Sequence, residues 1–96
     1  MNLVNFLLVW ARSLEEWLGS NNVTMMVGES PQNIAKPSGW VTLASTDRES
    51  ELIVWESGEA EFARSIPGDG IVQEHHDLGG IEDLGRLLSR LLMSIT

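Results

Sequence analysis

The side chains with the most chemical reach stand together at Glu74-His75-His76-Asp77. Imidazole and carboxylate are metal ligands, and a small metal-dependent enzyme could use His75, His76 and Asp77. The spacing argues against it, because neighbours on an extended chain point to opposite faces. The sequence offers neither an HExxH spacing nor a second His or Cys pair to complete such a site. The segment reads as a polar stretch before a C-terminal helix, with one His hydrogen-bonded in the structure. Glu56 and Glu59 could form a hydrolytic carboxylate pair, but that needs a cleft with unlike environments, and these two flank a hairpin tip. Ser57 lacks a G-x-S-x-G context. Gly79-Gly80 is followed by no Lys, and Gly68-Asp69-Gly70 precedes a strand, so neither is a phosphate loop. These readings give no catalytic residue, no cofactor and no metal. The expectation is a binding protein.

Composition narrows what it would bind. The chain has 96 residues with 14 acidic and 6 basic side chains, a net charge of −8, and no Cys. That length suits one domain, residues 1–96. At 43% hydrophobic residues, the chain has enough apolar side chain for a core. Without Cys, disulfides and thiolate metal clusters are excluded. The acidity disfavours nucleic acid and anionic membranes, whose binding rests on Lys and Arg, and favours a basic protein partner. The apolar run Phe6–Ala11 is far shorter than the roughly 18 residues that span a bilayer. With no basic n-region or cleavage site, the expected location is the cytoplasm.

The elements that position these groups follow from hydrophobic spacing. Leu3, Leu7, Trp10, Leu14 and Trp17 recur at four and three, predicting a helix from about residue 2 to 18 that stops at Gly19 in the left-handed conformation. Val23–Val27 reads as a short strand, 30–39 as a loop, and Trp40–Ser45 as a second strand. Two alternating runs flank Ser57-Gly58, predicting a two-residue hairpin with Trp55 opposite Ala60 and Ile53 opposite Phe62. Ile53, Trp55, Ala60 and Phe62 then share a core face. Leu52, Val54, Glu56, Glu59, Glu61 and Ala63 share the other. Residues 71–78 read as a short strand or an extended segment. Helical spacing returns at Ile81, Leu84, Leu88, Leu91, Leu92 and Ile95, to the end of the chain. The expected fold is α+β: a two-layer sandwich, with a small antiparallel sheet of three to four strands and N-terminal and C-terminal helices packed on one face.

That leaves one sheet face open. The acidic outer side of the hairpin reads either as a solvated face that keeps the protein soluble or as a landing surface for a basic partner. Trp10, Trp17 and Trp55 read as core. Trp40 depends on register: with Val41 and Leu43 inward it lies on the open face as an interface anchor, and in the other register it is buried. The candidate partner-binding residues are Trp40, Glu56, Glu59 and Glu61.

The segment Glu51-Leu-Ile-Val-Trp-Glu-Ser-Gly-Glu-Ala-Glu-Phe62, then Glu74-His75-His76 and a Leu-rich helix from Ile81, resembles the TriTu-type immunity proteins of bacterial polymorphic toxin systems. The resemblance covers roughly the C-terminal half. It departs at Gly79-Gly80, where a Ser or Thr helix cap is expected. It implies a cytoplasmic protein that forms a 1:1 complex with a cognate toxin domain, often the C-terminal domain of an Rhs-type effector, and protects the producer in interbacterial competition. For this type the implied toxin is an ADP-ribosyltransferase acting on elongation factor Tu, inhibited by blockage of its NAD or substrate cleft. A DNA-mimic inhibitor of a nucleic-acid-binding protein is the alternative reading of the acidity.

Overall fold

The computed structural model describes residues 2–31 and 34–95, so positions 32 and 33 of the expected loop and position 96, the expected helix end, lie outside the described residues. The order is α1 (Leu3–Ser20), β1 (Thr24–Glu29), β2 (Ser38–Ala44), β3 (Glu49–Trp55), β4 (Glu59–Ile66), β5 (Gly70–Asp77) and α2 (Ile81–Ile95). Each strand pairs antiparallel with the next, giving one meander β1-β2-β3-β4-β5. No helix among the described residues is long and apolar enough to cross a membrane.

The sheet has five strands, where the sequence suggested three to four. The difference lies at its edges. An edge strand has one ladder partner and is covered less completely, so its alternation is diluted by polar or weak β-forming residues. In β1 the alternation is carried by Met25 and Val27 against Met26 and Gly28, and in β5 by Val72, Glu74 and His76 against Gln73, His75 and Asp77.

Both helices pack on one face. Leu3, Leu7 and Ala11 of α1 and Leu84, Leu87, Leu88 and Leu91 of α2 share a core with Val41, Leu43, Leu52, Val54, Ala60 and Phe62. The buried side of α1 is turned toward Val4 and Leu8, so Trp10 and Leu14 are only partly covered and Trp17 is 48% exposed. The spacing expected of Trp17 is kept, but it falls on the flank of the stripe. The stop also differs. Gly19 is helical, and Asn22 takes the positive φ of 60°, a conformation Asn reaches at low cost.

The main correction concerns the β3–β4 hairpin. Leu52 pairs with Phe62, Ile53 with Glu61 and Val54 with Ala60. The loop is therefore Glu56-Ser57-Gly58, with Gly58 at φ 105°, the three-residue form that needs a left-handed third residue. One added loop residue moves every β3 side chain to the other face. Leu52 and Val54 enter the core, while Ile53 and Trp55 leave it.

The same loop repairs the start of α1. Asn2 makes no side-chain cap. Instead the Glu56 carboxylate accepts the Leu3 N–H at 2.7 Å and the Val4 N–H at 3.4 Å, supplying acceptor and negative charge to otherwise unpaired donors. Glu56→Ala is expected to cost about 1 kcal/mol in urea unfolding, the usual worth of a helix cap, and Glu56→Gln less. At α2 the missing Ser or Thr is replaced from within: the Gly79 N–H donates to Asp83 at 2.6 Å. That bond, and then Arg86, hold the Asp83 carboxyl below its usual range.

Candidate functional site

The face opposite the helices is the candidate site. Val41 and Leu43 point into the core, so of the two registers open to β2 the structure takes the one that puts Trp40 on the open face. Trp40 pairs across the ladder with Ile53 on one side and Gly28 on the other. Its indole lies flat over Gly28, where a Cβ would stand 2.4 Å from the ring. Glycine is what lets that ring lie down. Trp55 follows Ile53 by two on β3, so Trp40, Ile53 and Trp55 form one apolar strip on the open side.

Carboxylates border the strip. The Lys36 Nζ donates to both Glu59 oxygens at 2.7 and 2.8 Å and sits 5.8 Å from the Trp55 ring centre. Glu51 accepts from the Thr42 hydroxyl at 3.1 Å. Glu61, opposite Ile53, lies 2.8 Å from His75 Nδ1, and Asp77 lies 3.2 Å from Nε2 of the same ring. Carboxylates at both nitrogens require both to donate, which the imidazolium does. The His75 pKa is raised accordingly, first by Glu61 and then by Asp77. A shallow depression of ≈ 290 Å³ opens farther along, over Ala63 between Glu51 and Gln73.

Of the residues singled out from sequence, the structure brings Trp40, Glu59 and Glu61 to this face and takes Glu56 to the α1 terminus. It adds Ile53 and Trp55, which the two-residue hairpin had assigned to the core. The signal that could have found them is Gly58 as third residue of a Glu56-Ser57-Gly58 loop.

The Glu74-His75-His76-Asp77 segment divides as alternation requires. His75 and Asp77 face the open side, and Glu74 and His76 face α2. Glu74 accepts from both Arg90 guanidinium nitrogens at 2.9 and 2.8 Å and lies 2.9 Å from His76 Nε2, while Arg90 stacks 5.2 Å from the Phe62 ring centre. The pair clasps β5 to α2. Among the described residues no three or more His, Asp and Glu side chains are grouped so as to hold a metal ion.

Arg90, above all, lowers the Glu74 pKa from 4.5 to about 2. A depressed folded-state pKa stabilises the fold above the unfolded value, and the gain is lost as pH falls through 4.5 toward 2. The pair is expected to contribute about 1–2 kcal/mol at neutral pH, less than the full linkage value because Arg90 is half in solvent. In Arg90→Ala that contribution disappears and the fall in stability over this pH range flattens, as acid-unfolding curves would show.

A family model described as "Immunity protein TriTu" matches residues 5–94. No curated protein and no solved structure shows a significant match to the chain.

Proposed function

The chain belongs to the TriTu immunity protein family, and we propose on that premise that it neutralises a cognate antibacterial toxin by laying its open sheet face over the toxin's active-site cleft. The observation that carries this reading is the grouping of two partly exposed tryptophans, Trp40 and Trp55, with Glu59 and Glu61 on a face that carries no helix. Aromatic anchors ringed by charge are the usual make-up of a tight protein interface, and the −8 charge speeds encounter with a basic cleft.

The toxin in this reading is an ADP-ribosyltransferase acting on elongation factor Tu, carried at the C-terminus of an Rhs-type effector. The immunity protein meets it in the cytoplasm as a non-catalytic one-to-one complex. Covering the NAD groove or the approach of the protein substrate would each stop the reaction. The apolar strip between the carboxylates favours a protein cleft over the DNA-mimic alternative, which calls for an unbroken series of phosphate-like charges.

Co-expression with the toxin encoded beside it tests the proposal. The expected result is rescued growth, a copurifying equimolar complex and suppressed ADP-ribosylation of elongation factor Tu. Persistent toxicity with no complex would remove the reading. A partner displaced by duplex DNA would transfer it to the DNA-mimic class.

A further inference from the structure

Lys36 stands apart from the other basic residues. Arg12 belongs to α1, Arg86 and Arg90 to α2, Arg64 to the core side of β4, and Arg48 to the β2–β3 turn. Lys36 alone among them reaches over the apolar strip, where it meets the Trp55 ring and the Glu59 carboxylate. Taking the open face as the docking surface proposed above, we infer that Trp55 and Glu59 form a seat for an arginine side chain of the toxin, and that Lys36 is its placeholder in the unbound protein.

The chemistry of the seat fits a guanidinium better than the ammonium that fills it. Both Glu59 oxygens converge on a single Lys36 nitrogen, at 2.7 and 2.8 Å. A guanidinium would give each oxygen its own N–H in a forked pair while its plane stacks on the indole. The Lys36 nitrogen, at 5.8 Å from the ring centre, stands at the outer reach of a cation–π contact. The ion pair is also cheap to break, since both side chains are over two-fifths exposed, 48% and 41%.

Release requires no backbone movement. The Pro37 carbonyl accepts the Glu56 N–H at 2.9 Å, which pins the chain next to Lys36 to the hairpin loop. The lysine reaches the seat through its flexible side chain and can leave by turning about its own bonds. The toxin's cation therefore meets a preformed site and displaces a weakly held one.

The test is a nuclear magnetic resonance titration of the protein with N-acetyl-arginine methylamide, read at the Trp55 indole N–H, with the isosteric neutral citrulline derivative as control. The expected result is a saturable shift with arginine and none with citrulline. In Lys36→Met the same shift should be reached at a probe concentration at least threefold lower, and Glu59→Gln added to Lys36→Met should abolish that gain. Arg12→Met makes the same change in net charge on α1 and should give no gain. A silent Trp55 resonance, an equal response to citrulline, or an equal gain in Arg12→Met would each overturn the inference. Failed protection by the wild-type chain would remove the toxin reading and leave this titration standing. A silent titration beside intact protection would remove the seat alone.

Discussion

Trp40→Ala is expected to leave the protein folded and to weaken its complex with the toxin about 30-fold or more. The binding loss follows from the position of the ring. Trp40 lies over Gly28 and directly opposite Ile53 on the open strip, and truncating an aromatic anchor of an interface costs about 2 kcal/mol or more. The folding loss is small because the ring covers no part of the helix-side core. Its cross-strand contacts are worth about 1 kcal/mol at most. Gly28→Ala is the companion test, since it keeps the tryptophan but places a Cβ 2.4 Å from the indole. The ring must lift, and binding should weaken by an intermediate amount. Trp17→Ala removes a more exposed ring from α1, on the opposite side of the protein, and should bind like wild type. Calorimetric titration together with thermal melts separates the outcomes. Wild-type affinity in Trp40→Ala would exclude the open face as the interface.

The order of elements was legible because each carries its own period. The two helices announce themselves by apolar spacing, and β2 and β4 by alternation, so Glu59 and Glu61 fall on the outer surface from the residue string. Trp40 stays between two registers until its pairing with Ile53 and Gly28 fixes it on the open face. What was not legible depends on contacts distant in sequence. Nothing near Glu56 suggests that its carboxylate would be used 53 residues away, at the Leu3 N–H. Trp17 satisfies the α1 period, yet the tilt of the helix on the sheet decides which flank is covered. Trp55 was misassigned for a local reason: Ser57-Gly58 has the composition of a two-residue turn, and a third loop residue reverses the parity of the whole strand. A single misread turn thus hid half of the candidate surface, while the β4 half stayed in view.

The hairpin register makes the sharpest stability prediction. Leu52→Asp is expected to abolish cooperative folding, while Ile53→Asp, one residue away, folds. Leu52 is fully buried opposite Phe62, between the sheet and the helices. A carboxylate there must be ionised without a partner or be protonated against its ordinary pKa, at a cost of about 4 kcal/mol or more with the lost packing. A domain this small sits toward the low end of the ~5–15 kcal/mol range of folded proteins, so that cost takes most of its margin. Ile53 faces the open side opposite Glu61, so an aspartate there adds only a like-charge cross-strand pair, about 0.5–1 kcal/mol. A two-residue Ser57-Gly58 loop reverses the expectation, because it buries Ile53 and exposes Leu52. Urea unfolding and the dispersion of methyl resonances would read the outcome without any toxin present. An unfolded Ile53→Asp beside a folded Leu52→Asp would return Trp55 to the core. With both results as expected, Ile53→Asp also becomes the probe of binding, since it places a charge at the centre of the apolar strip while leaving the core untouched.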